Sequence, residues 1–199
     1  MNPWDARFRA EDYVYGTQPN VFLSSMESRL IAKGKTLAIA EGEGRNAVFL
    51  AEKGFDVTAW DYAPSGIEKA QRLAKERGVS IHTELVDLQT AAWEKEVWDQ
   101  IICVFGHFPP ALRLQTLMGV REAVKPGGLY VSEVYSVDQL PYNSGGPKEK
   151  QLLYQPEEFL DVFKGWRFLH FFMGEVERHE GELHNGLSHV IQVVVQKPE

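Results

Sequence analysis

The chain has 199 residues, 44% of them apolar, 25% charged and 12% aromatic, which suits one globular domain with a sizeable core and excludes disordered, collagenous and coiled-coil classes. With 21 basic against 28 acidic residues the net charge is −7 and the positive charges are not clustered, so the surface repels nucleic-acid phosphates. No stretch approaches the roughly 18–20 apolar residues of a membrane-spanning helix. No basic region followed by an apolar run opens the chain, and the single cysteine, Cys103, has no partner for a disulfide or a zinc cluster, so the sequence reads as a cytoplasmic protein with a buried thiol.

Residues 1–33 are aromatic-rich and predict a partly helical segment lying over the carboxyl edge of a sheet. From Thr36 onward, short β-branched runs alternate with helical stretches, the pattern of right-handed βαβ units around a parallel sheet. Thr36 to Ala40 is the first strand, and after Gly42-Glu43-Gly44 a helix begins at Arg45 and closes at Gly54. Val57 to Trp60 is the second strand, ending at Asp61; Ser65-Gly66-Ile67-Glu68 then has the spacing of a capping box and opens a helix to about Arg77. Ile81 to Val86 is a third strand, ending at Asp87, and Gln100 to Phe105 a fourth, apolar enough to be covered on both faces. A helix follows Pro109-Pro110 to about Val124, and Pro126-Gly127-Gly128 turns into a fifth strand, Leu129 to Val134. The stretch 135–154 is too long and polar for a mere connector and reads as a lid or substrate loop. A short helix starts at Pro156, and Trp166 to Val176 with Val190 to Gln196 predict an antiparallel hairpin, the charged stretch 177–188 between them. The expected architecture is a single α/β domain spanning 1–199, a Rossmann-like three-layer sandwich with a mostly parallel seven-stranded sheet.

In an open α/β sheet ligands bind beyond the carboxyl ends of the strands, so the residues after each run carry the chemistry. Gly42 and Gly44 let a ligand approach the backbone while the next helix offers free N–H groups, although a tight turn needs them equally. Asp61 is placed to accept from both hydroxyls of a ribose, and Asp87 from an adenine amino group, with the Leu88 N–H available to a ring nitrogen. Singly, each aspartate reads as a cap or loop acid; the succession of glycine turn, Asp61 and Asp87 in adjacent βα units favours a nucleoside. Phe105-Gly106-His107 follows the fourth strand, where a reacting group would lie.

Ala40-Glu41-Gly42-Glu43-Gly44-Arg45-Asn46-Ala47, with Gly54 to Asp61, resembles the first and second motifs of class I S-adenosylmethionine-dependent methyltransferases, in particular the tellurite-resistance-protein-like and thiopurine-methyltransferase-like branch. The opening segment Trp4 to Phe8 and Tyr13 to Leu23, and the turn Lys125-Pro126-Gly127-Gly128, extend the resemblance from Trp4 to Lys197. It implies methyl transfer from S-adenosylmethionine to a small-molecule acceptor, with Glu41, Gly42, Gly44, Asn46, Asp61, Tyr62, Asp87, Leu88 and Phe105 around the cofactor. The branch usually carries an acid within strand one, where this chain has Ala38 and Ala40, so Glu41 is the candidate for the methionine amino end.

If the acceptor loses a proton, His107 is the first candidate base and Tyr135 the second, though a backbone-contacting loop histidine explains His107 as well. His179, His184 and His189 lack the spacing of a metal site and read as solvated hairpin residues; no metal, nucleic-acid or membrane partner is expected. Two alternatives remain. Gly42-x-Gly44-x-x-Ala47 with Asp61 also matches the dinucleotide fingerprint of an NAD(P)-dependent oxidoreductase, against which stand the absence of a separate substrate domain and the Asp87 position. The altered first motif also keeps a non-catalytic nucleoside-binding protein in view.

Overall fold

The computed structural model describes residues 2–181 and 183–199. Its elements in chain order are α1 (Pro3–Phe8), α2 (Val21–Ser25), β1 (Lys35–Ile39), α3 (Arg45–Glu52), β2 (Asp56–Asp61), α4 (Pro64–Glu76), β3 (His82–Leu85), β4 (Trp98–Val104), α5 (Pro110–Ala123), β5 (Val124–Tyr135), α6 (Pro156–Val162), β6 (Arg167–Glu180) and β7 (His184–Gln196). The seven strands form one sheet in the order β3-β2-β1-β4-β5-β7-β6. β1 to β5 are parallel, and β7 runs antiparallel to both β5 and β6. No helix among the described residues is long and apolar enough to cross a membrane.

Strand periodicity divides the core. Leu37, Ile39, Ile101 and Tyr130 point to the face covered by α5 and α6, while Ala38, Ile102 and Val131, one residue out of phase, meet Ala47, Leu50 and Val57 on the α3 face. Burial on both faces explains why β1 and β4 read as nearly continuous apolar runs. Cys103 lies in this core, and burial pushes its thiol up to about 12, so it stays protonated.

Three sequence expectations change. The capping box at Ser65 is absent: α4 starts two residues earlier because Pro64 supplies a preset helical φ, and its N-cap, Ala63, has no side-chain acceptor. The acceptor comes from elsewhere, since Asp5 of α1 takes the Ser65 N–H at 3.0 Å and the Ser65 hydroxyl at 2.9 Å. The fifth strand begins at Val124 and includes the Pro-Gly-Gly turn. Finally, the charged stretch 177–188 is not a loop, for β6 and β7 pair without interruption from Met173↔Ile191 to Glu180↔His184. The ladder continues because Arg178 and Glu180 are buried on its inner face, where they find partners of opposite charge.

Candidate active site

Strand order reverses between β1 and β4, which opens a crevice at their carboxyl ends. Both strands are followed by a non-glycine residue with left-handed backbone, Ala40 (φ 50) and Phe105 (φ 53). Such conformations cost of order 1–3 kcal/mol and persist only where surrounding structure imposes them.

On the β1 side, Gly42 and Gly44 have φ of 63 and 89. A Cβ on Gly44 would stand 2.5 Å from Ala70 Cβ, and one on Gly42 would stand 3.1 Å from the Phe8 ring, so packing as well as turn geometry requires both glycines. Glu41 Oε1 accepts the N–H groups of Asn46 (2.9 Å) and Ala47 (2.7 Å) and so caps α3. Burial pushes the Glu41 carboxyl up to about 7, against the lowering effect of the Ala47 N–H and of Arg45. Asn46 Oδ1 accepts the Asn20 N–H at 2.9 Å, which engages it with the N-terminal segment.

At the tip of β2, Asp61 is buried and accepts from Gly42 N–H (2.8 Å) through Oδ2 and from Ala63 N–H (2.9 Å) through Oδ1. Desolvation raises its pKa, and these backbone donors oppose the shift. A carboxylate has about four acceptor positions, so each oxygen keeps capacity for a further donor. Tyr62, half-exposed, feels the charges of both Asp61 and Asp87. Asp87 is exposed and takes only the Gln89 N–H at 2.9 Å, and the Leu88 N–H has no partner among the described residues.

Phe105, at the tip of β4, stacks on Tyr135 with centroids 4.7 Å apart and meets His184 edge-on at 4.4 Å. His107 spends both ring nitrogens on backbone: Nδ1 lies 2.8 Å from the Leu152 carbonyl, and Nε2 accepts the Tyr135 N–H at 3.3 Å. Burial pushes this imidazole down to about 4, so it is neutral near pH 7. Tyr135 is fully buried, its hydroxyl lacks a hydrogen-bond partner, and desolvation raises its pKa well above the usual phenol value.

The sequence reading missed the cover over this crevice. His184, expected to be solvated, is 5% exposed and packs against the Tyr15 ring, tilted by 38° with centroids 4.7 Å apart; burial pushes it down to about 3, and its Nδ1 has no hydrogen-bond partner. Alternation along β7, with His184, Ser188 and Val190 inward, was the available signal. By contrast, His179 is exposed beside Glu177, and His189 bonds the Ser136 hydroxyl through Nδ1 at 2.7 Å. Glu180, next to the hairpin tip, accepts from Arg45 (2.7 Å), the Val21 N–H (3.0 Å) and Asn20 Nδ2 (3.2 Å). Arg178 pairs with Glu133 at 2.5 Å, and Asn20 also donates to Glu133 at 2.8 Å. These buried groups join the hairpin, α3 and the N-terminal segment. The segment 135–154 folds back on itself and against β7: Gln139 donates to Ser144 at 3.0 Å and accepts the His189 N–H at 2.6 Å.

A parallel sheet with this strand order and an antiparallel final hairpin defines a Rossmann-like fold, the fold of solved methyltransferases. A family model for the tellurite resistance protein TehB matches residues 11–189, and the chain belongs to that family. A probable S-adenosyl-L-methionine-dependent methyltransferase TehB of Haemophilus influenzae is 28% identical over 160 residues, covering 79% of this chain and 52% of the relative, so the chain spans about half that protein's length. The crystal structure of TehB from Haemophilus influenzae superposes with a TM-score of 0.74 at 21% identity, covering 89% of this chain and 62% of the other. A structure concerned with conversion of a disulfide bond into a thioacetal group during echinomycin biosynthesis superposes with a TM-score of 0.78 at 19% identity, covering 98% and 90%.

Proposed function

We propose that this chain transfers a methyl group from S-adenosylmethionine to a small-molecule acceptor. The observation that supports it most is the buried Asp61 carboxylate at the crevice edge, with acceptor capacity left on both oxygens. Held there by Asp61, S-adenosylmethionine would supply an already activated sulfonium methyl group, so the chain's own residues would have chiefly to bind and orient it.

The chain's own groups fit that ligand. Asp61 would hold the ribose hydroxyls, and Asp87 with the Leu88 N–H the adenine edge. Glu41 keeps one oxygen, Oε2, free of hydrogen bonds among the described residues, suited to an ammonium group. Tyr62 and Phe105 would flank the nucleoside, and the Gly42–Gly44 turn lets backbone come close. The N-terminal segment and the hairpin tip exclude water, which strengthens every polar contact inside. His107 has its lone pair committed to the Tyr135 N–H, so its part is to position β5 against the loop after β4 rather than to receive a proton.

Thermal-shift titration tests this reading, because a ligand that binds the native state raises Tm. S-adenosylmethionine and S-adenosylhomocysteine should stabilise the protein and NAD should not, and Asp61→Ala should lose most of the shift. Preferential stabilisation by NAD would favour an oxidoreductase instead.

A further inference from the structure

We infer that residues 9–19 form a strap that opens and closes over the candidate cofactor turn, and that the buried Lys69–Glu43 pair is its latch, which makes Lys69 a positioning residue for cofactor retention. The ligand retained, though not the strap itself, rests on the methyl-transfer reading.

Burial sets the strap apart from what flanks it. None of residues 9–19 is buried and none lies in a helix or strand, whereas Phe8 before them is 3% exposed and Asn20 after them is fully buried. A stretch with few buried apolar groups between two anchored ends opens at lower cost than the sheet beneath it.

Polar contacts to α4 and to the turn between β1 and α3 hold the strap down. Lys69 Nζ donates to the Asp12 carbonyl (2.6 Å) and to Glu43 Oε1 (2.7 Å), and Glu43 Oε2 accepts the Tyr15 N–H (3.4 Å). The Tyr13 hydroxyl donates to the Lys69 carbonyl at 3.2 Å, its ring centroid lies 5.3 Å from the Lys69 ammonium, and Arg72 reaches the Glu11 carbonyl at 3.4 Å. Tyr13 also adds apolar packing against Val48, Leu73 and Ala74. Beyond Glu43, a Cβ on Gly181 would stand 2.4 Å from the Tyr15 carbonyl carbon, so the strap meets the hairpin tip backbone to backbone. It therefore runs from α4, across the residue between Gly42 and Gly44, to the end of β6.

Lys69 and Glu43 are 5% and 4% exposed, and both touch the strap directly. Closing exchanges the hydration of two charges for the contacts just named, and desolvation of that kind offsets much of the attraction within a buried pair. The closed position is thus held by a small surplus. Without the ammonium, Glu43 would be a stranded charge under the closed strap, and lifting the strap returns it to water while the sheet stays folded.

The test uses the full chain and reads two rates, S-adenosylhomocysteine dissociation by stopped flow and backbone hydrogen exchange of residues 9–19. Lys69→Met should raise both on the order of ten-fold and leave exchange of β4 and β5 at wild-type rates. Adding Glu43→Gln removes the stranded charge and should bring both rates back to within about three-fold of wild type. Wild-type rates in Lys69→Met, or a double variant as fast as the single one, overturn the latch. Should Lys69→Met not fold, the wild-type protein decides: residues 9–19 should exchange well before β4 in the ligand-free chain and be slowed by bound S-adenosylhomocysteine. Exchange as slow as that of β4, or unchanged by the bound ligand, overturns the strap. A chain that binds no S-adenosylhomocysteine sinks the methyl-transfer reading, and exchange of 9–19 in the free protein still decides whether the strap moves.

Discussion

Arg45 Nη1 lies 2.7 Å from Glu180 Oε2, so the first residue of α3, just after the glycine turn, is joined to the last residue of β6 at the hairpin tip. Both side chains are buried, and Glu180 also anchors α2 through Asn20 and Val21. The candidate cofactor turn and the cover over the crevice are therefore parts of one polar cluster.

Removing one partner of a buried pair strands the other charge. Glu180→Ala should lose about 3–5 kcal/mol in urea unfolding. Arg45→Met combined with Glu180→Leu should lose less than the two single changes added together, since neither charge is then left alone. A loss below about 1 kcal/mol for Glu180→Ala would mean that the pair is solvated.

Gly44→Ala combines a left-handed backbone with a Cβ 2.5 Å from Ala70 Cβ. The backbone alone costs about 1–2 kcal/mol and the overlap about 1–3 kcal/mol. Adding Ala70→Gly should recover only part of the overlap, because the Ala70 Cα still stands 2.7 Å from the new Cβ, and should leave the backbone strain, as read by denaturant midpoints at equal m-value.

Burial pushes the Glu41 carboxyl up to about 7 in the folded protein, from an ordinary 4.5. Between these values the folded state holds the proton more tightly than the unfolded one, so this group's contribution is greatest below pH 4.5 and falls as pH rises to 7. Glu41→Gln keeps an acceptor for the α3 amide protons without the charge. Its stability relative to wild type should rise across that interval, and a difference that is flat with pH would show that Glu41 is not desolvated.

His107 runs the other way: burial pushes it down to about 4, below an ordinary 6.5, so the stability of its neutral form is complete above 6.5 and lost as pH falls through 4. With both nitrogens on backbone, His107→Ala should lower stability by about 2–4 kcal/mol, one unmet group each at the Leu152 carbonyl and the Tyr135 N–H. A turnover profile with no limb assignable to His107 near neutrality would agree with its positioning part; loss of such a limb in His107→Gln, with the fold intact by circular dichroism, would restore it as a base.

Local patterns carried the reading a long way. The alternation from Thr36, the glycine punctuation at Gly54 and Gly78, and the apolar run of β4 each reflect constraints within a few residues, and the parallel sheet follows from them. Asp61 was legible for the same reason, standing at the end of an obvious strand. Asp5 as the cap of α4, Glu41 as the cap of α3 and the engagement of His107 were not, because their partners lie on other elements or depend on loop geometry.

Sequence alone determined the succession of strands and helices along the chain and the α/β class they build, since periodicity and turn chemistry are local. Tertiary structure decided which charges are neutralised and which polar atoms go unmet. Glu133, Arg178, Glu180 and Arg45 look like ordinary surface residues until β6 and β7 fold back over the crevice and desolvate them, and that removal from water makes their pairing obligatory.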